Sequence, residues 1–170
     1  MKSRGNITSP RSITAVTGLA LAWLVTLVPA VAQNAYITNQ GVYPNFSNSV
    51  TVIDTTTNKV VTTIDVGLAP AGVAVTPDGS KVYVTNLNNT VSVIDTATNA
   101  VSATIPVGNG PVGVAFTPDG SKAYVANQFD HTVSVIATAS NTVVATIAVG
   151  ASPIAFGIFI LPRSRSAPAR

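Results

Sequence analysis

The 170-residue chain has no cysteine, no glutamate, one histidine and one tryptophan, and only 9% of its residues are charged. Without cysteine there is no disulfide and no thiolate, so a domain outside the cytoplasm has to hold together by packing alone. Without glutamate, and with His131 as the lone histidine, a metal site or an activated nucleophile has few residues to draw on. G-x-S-x-G, G-x-G-x-x-G and the P-loop pattern are all missing. Also missing is a 3.6-residue apolar period through the body of the chain, where Val, Ile and Thr dominate and prolines recur, which excludes helical repeats.

The formal net charge of +3 and a pI near 9.5 suggest a basic, anion-seeking protein until the charges are located. Lys2, Arg4 and Arg11 precede an apolar run from Ile13 to Val28, which ends in Pro29-Ala30-Val31-Ala32. A basic head, an apolar middle and a small-x-small ending make residues 1–32 a secretory signal peptide cut after Ala32. The run, about 16 residues with Thr14, Thr17, Gly18 and Thr26 inside it, is short for a membrane span of about 20, so no span is expected after cleavage. Beyond it three lysines and three arginines face six aspartates, a formal charge of zero with no basic stripe for nucleic acid.

What is present is a repeat. TPDGSKVYVTN at Thr76–Asn86 returns as TPDGSKAYVAN at Thr117–Asn127, and its second half stands at Tyr36-Ile37-Thr38-Asn39. Asp54 aligns with Asp95, Gly67 with Gly108 and Gly150, and Pro70 with Pro111 and Pro153, a period of about 41 residues. In Thr-Pro-Asp-Gly the proline pre-sets φ, the aspartate bonds back to its own turn, and the glycine takes the φ > 0 position. Pro77, Asp78, Gly79, Pro118, Asp119 and Gly120 are therefore read as turn-makers.

One unit, Ala71 to Pro111, holds four short strands at Gly72–Val75, Val82–Thr85, Val91–Asp95 and Val101–Val107, separated by turn signals. Four antiparallel strands in about 40 residues make the blade of an all-β propeller. A β-helix coil is shorter, and a sandwich would need its self-similarity to be accidental. Low charge fits, because a blade is covered on both faces by its neighbours.

Tyr83-Val84-Thr85-Asn86, Val91–Thr96, Thr104–Gly108 and Pro111–Gly120 together resemble the YVTN-type β-propeller repeat family, and the likeness runs from residue 35 to about 160. The resemblance implies a propeller in an extracytoplasmic setting, such as the periplasm, the cell surface or the secreted fraction of bacteria and archaea. It implies no shared catalytic motif. Two departures stand out: an insertion at Gly41–Asn48, and Ala137 where Asp54 and Asp95 stand, a change expected to remove one side-chain bond to a turn.

Counted from the axis outward, the chain opens with the second, third and fourth strands of a blade, adds two full blades, and closes with a first strand at Ile154–Ile160. That makes three blades over 33–161 if the last strand completes the first blade, with a disordered tail at 162–170. Propellers have about four to eight blades. Three therefore predict a partial propeller, either a piece of a longer one or half of a homodimeric ring.

The six aspartates offer no active-site pair, since those in TPDG and before T-x-T-N repeat at the blade period, as turn-making requires. No catalytic residue, metal site or cofactor is assigned. Function is sought instead on the face whose loops vary, Gln40–Asn48, Leu87–Asn89 and Gln128–His131, because binding residues sit on loops held by a rigid scaffold. Tyr43, Phe46, Asn88, Phe129, Asp130 and His131 are the candidates, for an unidentified protein or glycan of the cell envelope. The rival reading is a lactonase-like hydrolase or a cofactor-binding propeller completed by a partner or a further segment.

Overall fold

A computed structural model describes residues 33–157 together with 159 and 160. The expected signal peptide at 1–32 and the tail at 162–170 lie outside the described residues. Eleven strands follow in chain order: β1 (Asn34–Val42), β2 (Asn45–Asp54), β3 (Lys59–Asp65), β4 (Pro70–Val75), β5 (Lys81–Asn86), β6 (Thr90–Asp95), β7 (Ala100–Pro106), β8 (Pro111–Phe116), β9 (Lys122–Asn127), β10 (Thr132–Ala137) and β11 (Thr142–Ala148). They form three antiparallel sheets in sequential order, β1-β2-β3, β4-β5-β6-β7 and β8-β9-β10-β11. These are the blades of a partial propeller.

Two apolar layers lie between successive blades, and strand alternation builds both. Tyr36, Val50, Val52 and Ile64 of the first blade meet Val82, Val84 and Ile94 of the second. Tyr83, Val91, Val93 and Ile105 on the opposite side of the second blade meet Val114, Ala123, Val125 and Ile136 of the third. Odd and even positions of β5 thus serve different interfaces, which is why a strand without a polar face is stable here. A tyrosine hydroxyl ties each layer at its rim. Tyr36 donates to Asn99 Oδ1 (2.9 Å) and Tyr83 to Asn141 Oδ1 (2.5 Å), each in the last turn of the next blade. Burial holds both tyrosines above their usual pKa, so they remain protonated donors.

The turns follow the local chemistry. Gly79 and Gly120 take φ of 72° and 69°, and their N–H groups donate to Thr76 O and Thr117 O, both at 2.8 Å. Asp54 and Asp95 each accept two backbone N–H bonds, from Thr56 and Thr57 and from Ala97 and Thr98. Ala137 therefore forgoes two such bonds rather than one, and the Ser140 and Thr142 hydroxyls bond each other in that turn (2.7 Å).

Two expectations need correction. The insertion at Gly41–Asn48 is an extension of the β1–β2 hairpin, with Gly41 opposite Phe46 and Val42 opposite Asn45 around a cis Tyr43–Pro44 peptide. The segment from Ile154 is not a strand and does not complete the first sheet, which has three strands among the described residues. It lies instead along β8, where a Cβ added to Gly113 would overlap the Ala155 carbonyl.

Candidate functional site

The arc has two rims of loops. On one, the β4–β5 and β8–β9 turns are bonded to the outer turns of their own blades: Thr96 Oγ1 donates to Gly79 O (2.8 Å), and Thr138 Oγ1 to Gly120 O (2.7 Å). A groove of about 390 Å³ opens here beside Asp78, Lys81 and Asp119. Its carboxylates are already engaged. Asp78 accepts from the Thr76 hydroxyl and from the Ser80 N–H and hydroxyl, and Asp119 has the matching partners in Thr117 and Ser121. These bonds, the threonine hydroxyl first, hold both pKa values down to about 2. Among the described residues no group of three or more His, Cys, Asp or Glu side chains could hold a metal ion.

The other rim carries the varied loops, and hydrogen bonds knit it into one belt. Ala69 N–H in the β3–β4 link donates to Ser47 O, and Leu87 N–H to Ala69 O. Asn89, at φ 64°, accepts from Gly110 N–H through its side chain (3.2 Å) and from Val107 N–H through its carbonyl (3.0 Å). Gln128 N–H and Phe129 N–H donate to Gly110 O and Asn109 O. The rim is thus a rigid platform, cross-bonded from blade to blade.

The candidate residues divide along this belt. Tyr43 stands at the hairpin tip, 85% exposed, edge-on to Phe46 with ring centroids 6.2 Å apart. Phe129, 61% exposed, lies over Gly110, where an added Cβ would sit 2.5 Å from a ring carbon. Asn88 accepts from the Thr90 hydroxyl (3.0 Å). Asp130 Oδ2 accepts from Asn109 N–H (2.6 Å), and His131 Nδ1 from Ser152 N–H (2.9 Å), so both are braces of the links. Tyr43 and Phe46 share the β1–β2 hairpin while Phe129 sits on the β9–β10 loop; Asp130 and His131 are spent on backbone, and Asn88 on a neighbouring hydroxyl.

Sequence reasoning missed three features of this molecule. Leu68 in the β3–β4 link and Val42 at the hairpin add exposed apolar surface to the belt. Asn89 rather than Asn88 anchors its loop, because the turn places it at positive φ. An apolar groove of about 500 Å³ follows the inner strands, lined by Val73, Val75, Val114, Phe116, Gly157 and Ile160. Alternation in β4 and β8 carries the signal for that groove, but nothing local says which of those valines lacks a cover.

Comparison with known proteins agrees with the fold. The model of the YNCE-like beta-propeller family matches residues 74–165. A Kuenenia stuttgartiensis hydrazine synthase chain is similar at 34% identity with a TM-score of 0.64, over 69% of this chain and 33% of that one. Apo AztD from Citrobacter koseri (19% identity, TM-score 0.56) is matched over 65% of this chain and 32% of its own. The dihydro-heme d1 dehydrogenase NirN in complex with DHE (19%, 0.58) is matched over 67% of this chain and 24% of its own. The chain thus spans a third or less of the length of each of these structures. A search of the curated proteins finds no match. The family match extends over more than half of the sequence, and the chain belongs to the YNCE-like β-propellers.

Proposed function

We propose that this propeller is a non-catalytic binding or scaffold module of the cell envelope or secreted fraction, built of YVTN-type repeats, which engages a protein or glycan through its varied rim. One observation carries the reading. The polar side chains of that rim are consumed in bracing it, while Tyr43, Phe46, Leu68 and Phe129 stay exposed on the braced surface. Rigid aromatic anchors on a fixed platform suit recognition, since they lose little side-chain entropy on binding. Retention of the purified protein on cell-envelope material tests it: Tyr43→Ser combined with Phe129→Ser weakens retention at least about ten-fold at an unchanged melting temperature. Retention that survives both changes overturns the reading. The extracytoplasmic setting rests on the Lys2/Arg4/Arg11 head and the Ala30-Val31-Ala32 ending. N-terminal sequencing is expected to find Gln33 first, and an intact Met1 species in the membrane fraction refutes it.

A second reading has its own support in the apolar groove along the inner strands, which has the dimensions of a small-molecule site. It is an enzymatic or cofactor-binding propeller whose remaining residues come from a partner or a further segment. A catalytic activity lost with a chelator favours it over the binding module.

A further inference from the structure

We infer that the ligand of the varied rim is an uncharged glycan chain, received on separate aromatic rings with carboxamides around them. The inference rests on the reading of that rim as a binding surface and deepens it by naming the ligand class.

The first blade's hairpin outreaches its equivalents. Asn39 pairs with Ser49, and the strands go on to pair Gly41 with Phe46 and Val42 with Asn45 before turning at Tyr43-Pro44. In the second blade Asn86 pairs with Thr90, so the turn there spans three residues. The hairpin tip thus stands about two residues, roughly 7 Å, above loops of ordinary length. Gly41 places no side chain across from Phe46, which leaves that ring 41% exposed with Tyr43 edge-on beside it. Phe129 of the third blade is seated on the β7–β8 link, over Gly110, and its N–H is bonded to Asn109 O. Each ring is fixed at its base and largely open to solvent.

Charge narrows the ligand classes. Every lysine of the described residues, Lys59, Lys81 and Lys122, opens a strand on the opposite rim. Among the described residues the varied rim carries carboxylates at Asp65, which ends β3, and at Asp130, while His131 accepts a backbone N–H through Nδ1. Phosphate-rich polymers and anionic lipid headgroups therefore meet repulsion and no counter-charge. What surrounds the rings is carboxamide. Gln40, Asn45 and Asn48 are exposed on the hairpin, and Asn88, whose Oδ1 takes the Thr90 hydroxyl, is exposed on the second blade. A carboxamide both donates and accepts, so it pairs with a sugar hydroxyl in either sense. A sugar ring also has an apolar C–H face, which stacks on an aromatic ring by dispersion and by attraction to its π face.

A protein or lipid partner is met best by one contiguous apolar patch. Here Tyr43 and Phe46 stand on the first blade and Phe129 on the third, with Leu68 and Asn88 on the loops between them. Rings held at intervals suit a polymer of repeating sugars, which meets each ring with a different unit and binds through several weak contacts at once.

Retention of the purified protein on cell-envelope material tests the ligand class. It should survive protease digestion of that material and about 1 M salt, and should fall about ten-fold when periodate cleaves the vicinal diols of its sugars. Envelope polysaccharide freed of protein and lipid should retard the protein in affinity electrophoresis, and anionic alginate should not. Tyr43→Leu keeps a large apolar side chain without a ring, so retention should drop about five-fold, whereas Tyr43→Trp should hold or strengthen it. Retention that protease destroys, that periodate leaves intact, that salt removes, that extracted lipid vesicles reproduce, or that Tyr43→Leu does not weaken overturns the glycan. If Tyr43→Ser with Phe129→Ser still abolishes such retention, the rim remains a binding surface for another partner. No retention at all, or retention indifferent to those two changes, overturns both.

Discussion

The three isoleucines at one repeat position offer a graded test of how the blades hold together. Ile→Val removes one methylene, and for a buried isoleucine the lost transfer and the small cavity come to about 1 kcal/mol. Ile64 and Ile105, enclosed between blades, should each show that full cost, which in a domain of this size lowers the melting temperature by roughly 4 °C. Ile147 keeps nearly half of its surface in water in the single chain, so its loss should be about half as large or less. Melts followed by circular dichroism provide the assay. A silent Ile105→Val, or an Ile147→Val as costly as Ile105→Val, would refute the account of blade packing.

The turns make two further predictions. Gly79→Val and Gly120→Val force a β-branched residue to φ near 70° and should each cost about 1–3 kcal/mol. At Gly79 no atom lies within 4 Å, so that cost is backbone strain alone, and Gly79→Asn should recover most of it in the same melts. Asp78 and Asp119 have folded-state pKa values near 2, below the ordinary 3.8, so the folded state favours their ionised forms. Their contribution is complete above about pH 4 and is lost as pH falls towards 2. Asp78→Asn with Asp119→Asn should flatten the acid limb of the stability profile; an unchanged acid limb would show that the carboxylates do not sense folding.

The blades were legible in the sequence because their signals are local and repeated. Pro-Asp-Gly spells the turn, alternation spells the strand, and scarce charge says that both sheet faces are covered. The hairpin at Gly41–Asn48 was not legible, because it has no equivalent in later blades and the repeat is silent about it. Asn88 and Asn89 are the same residue type side by side, and only the turn decides which one takes positive φ and reaches Gly110. Asp130 and His131 looked free for binding a partner because the groups they accept from, Asn109 N–H and Ser152 N–H, are backbone groups 21 residues away.

The number of blades could not be read from the repeat either, and the reason bears on how repeat proteins are encoded. Tyr36 to Asn99 and Tyr83 to Asn141 span 63 and 58 residues, so the repeated tyrosine serves the next blade rather than its own. A repeat of this kind specifies an interface, not a blade count: every unit carries half of one junction and half of the next. In any open array one donor and one acceptor are therefore left over, at opposite ends. Among the described residues they are Tyr124 and Asn58, with Ile147 and Gly150 exposed beyond the last blade. The leftover halves match because they descend from the same rule that built the interior.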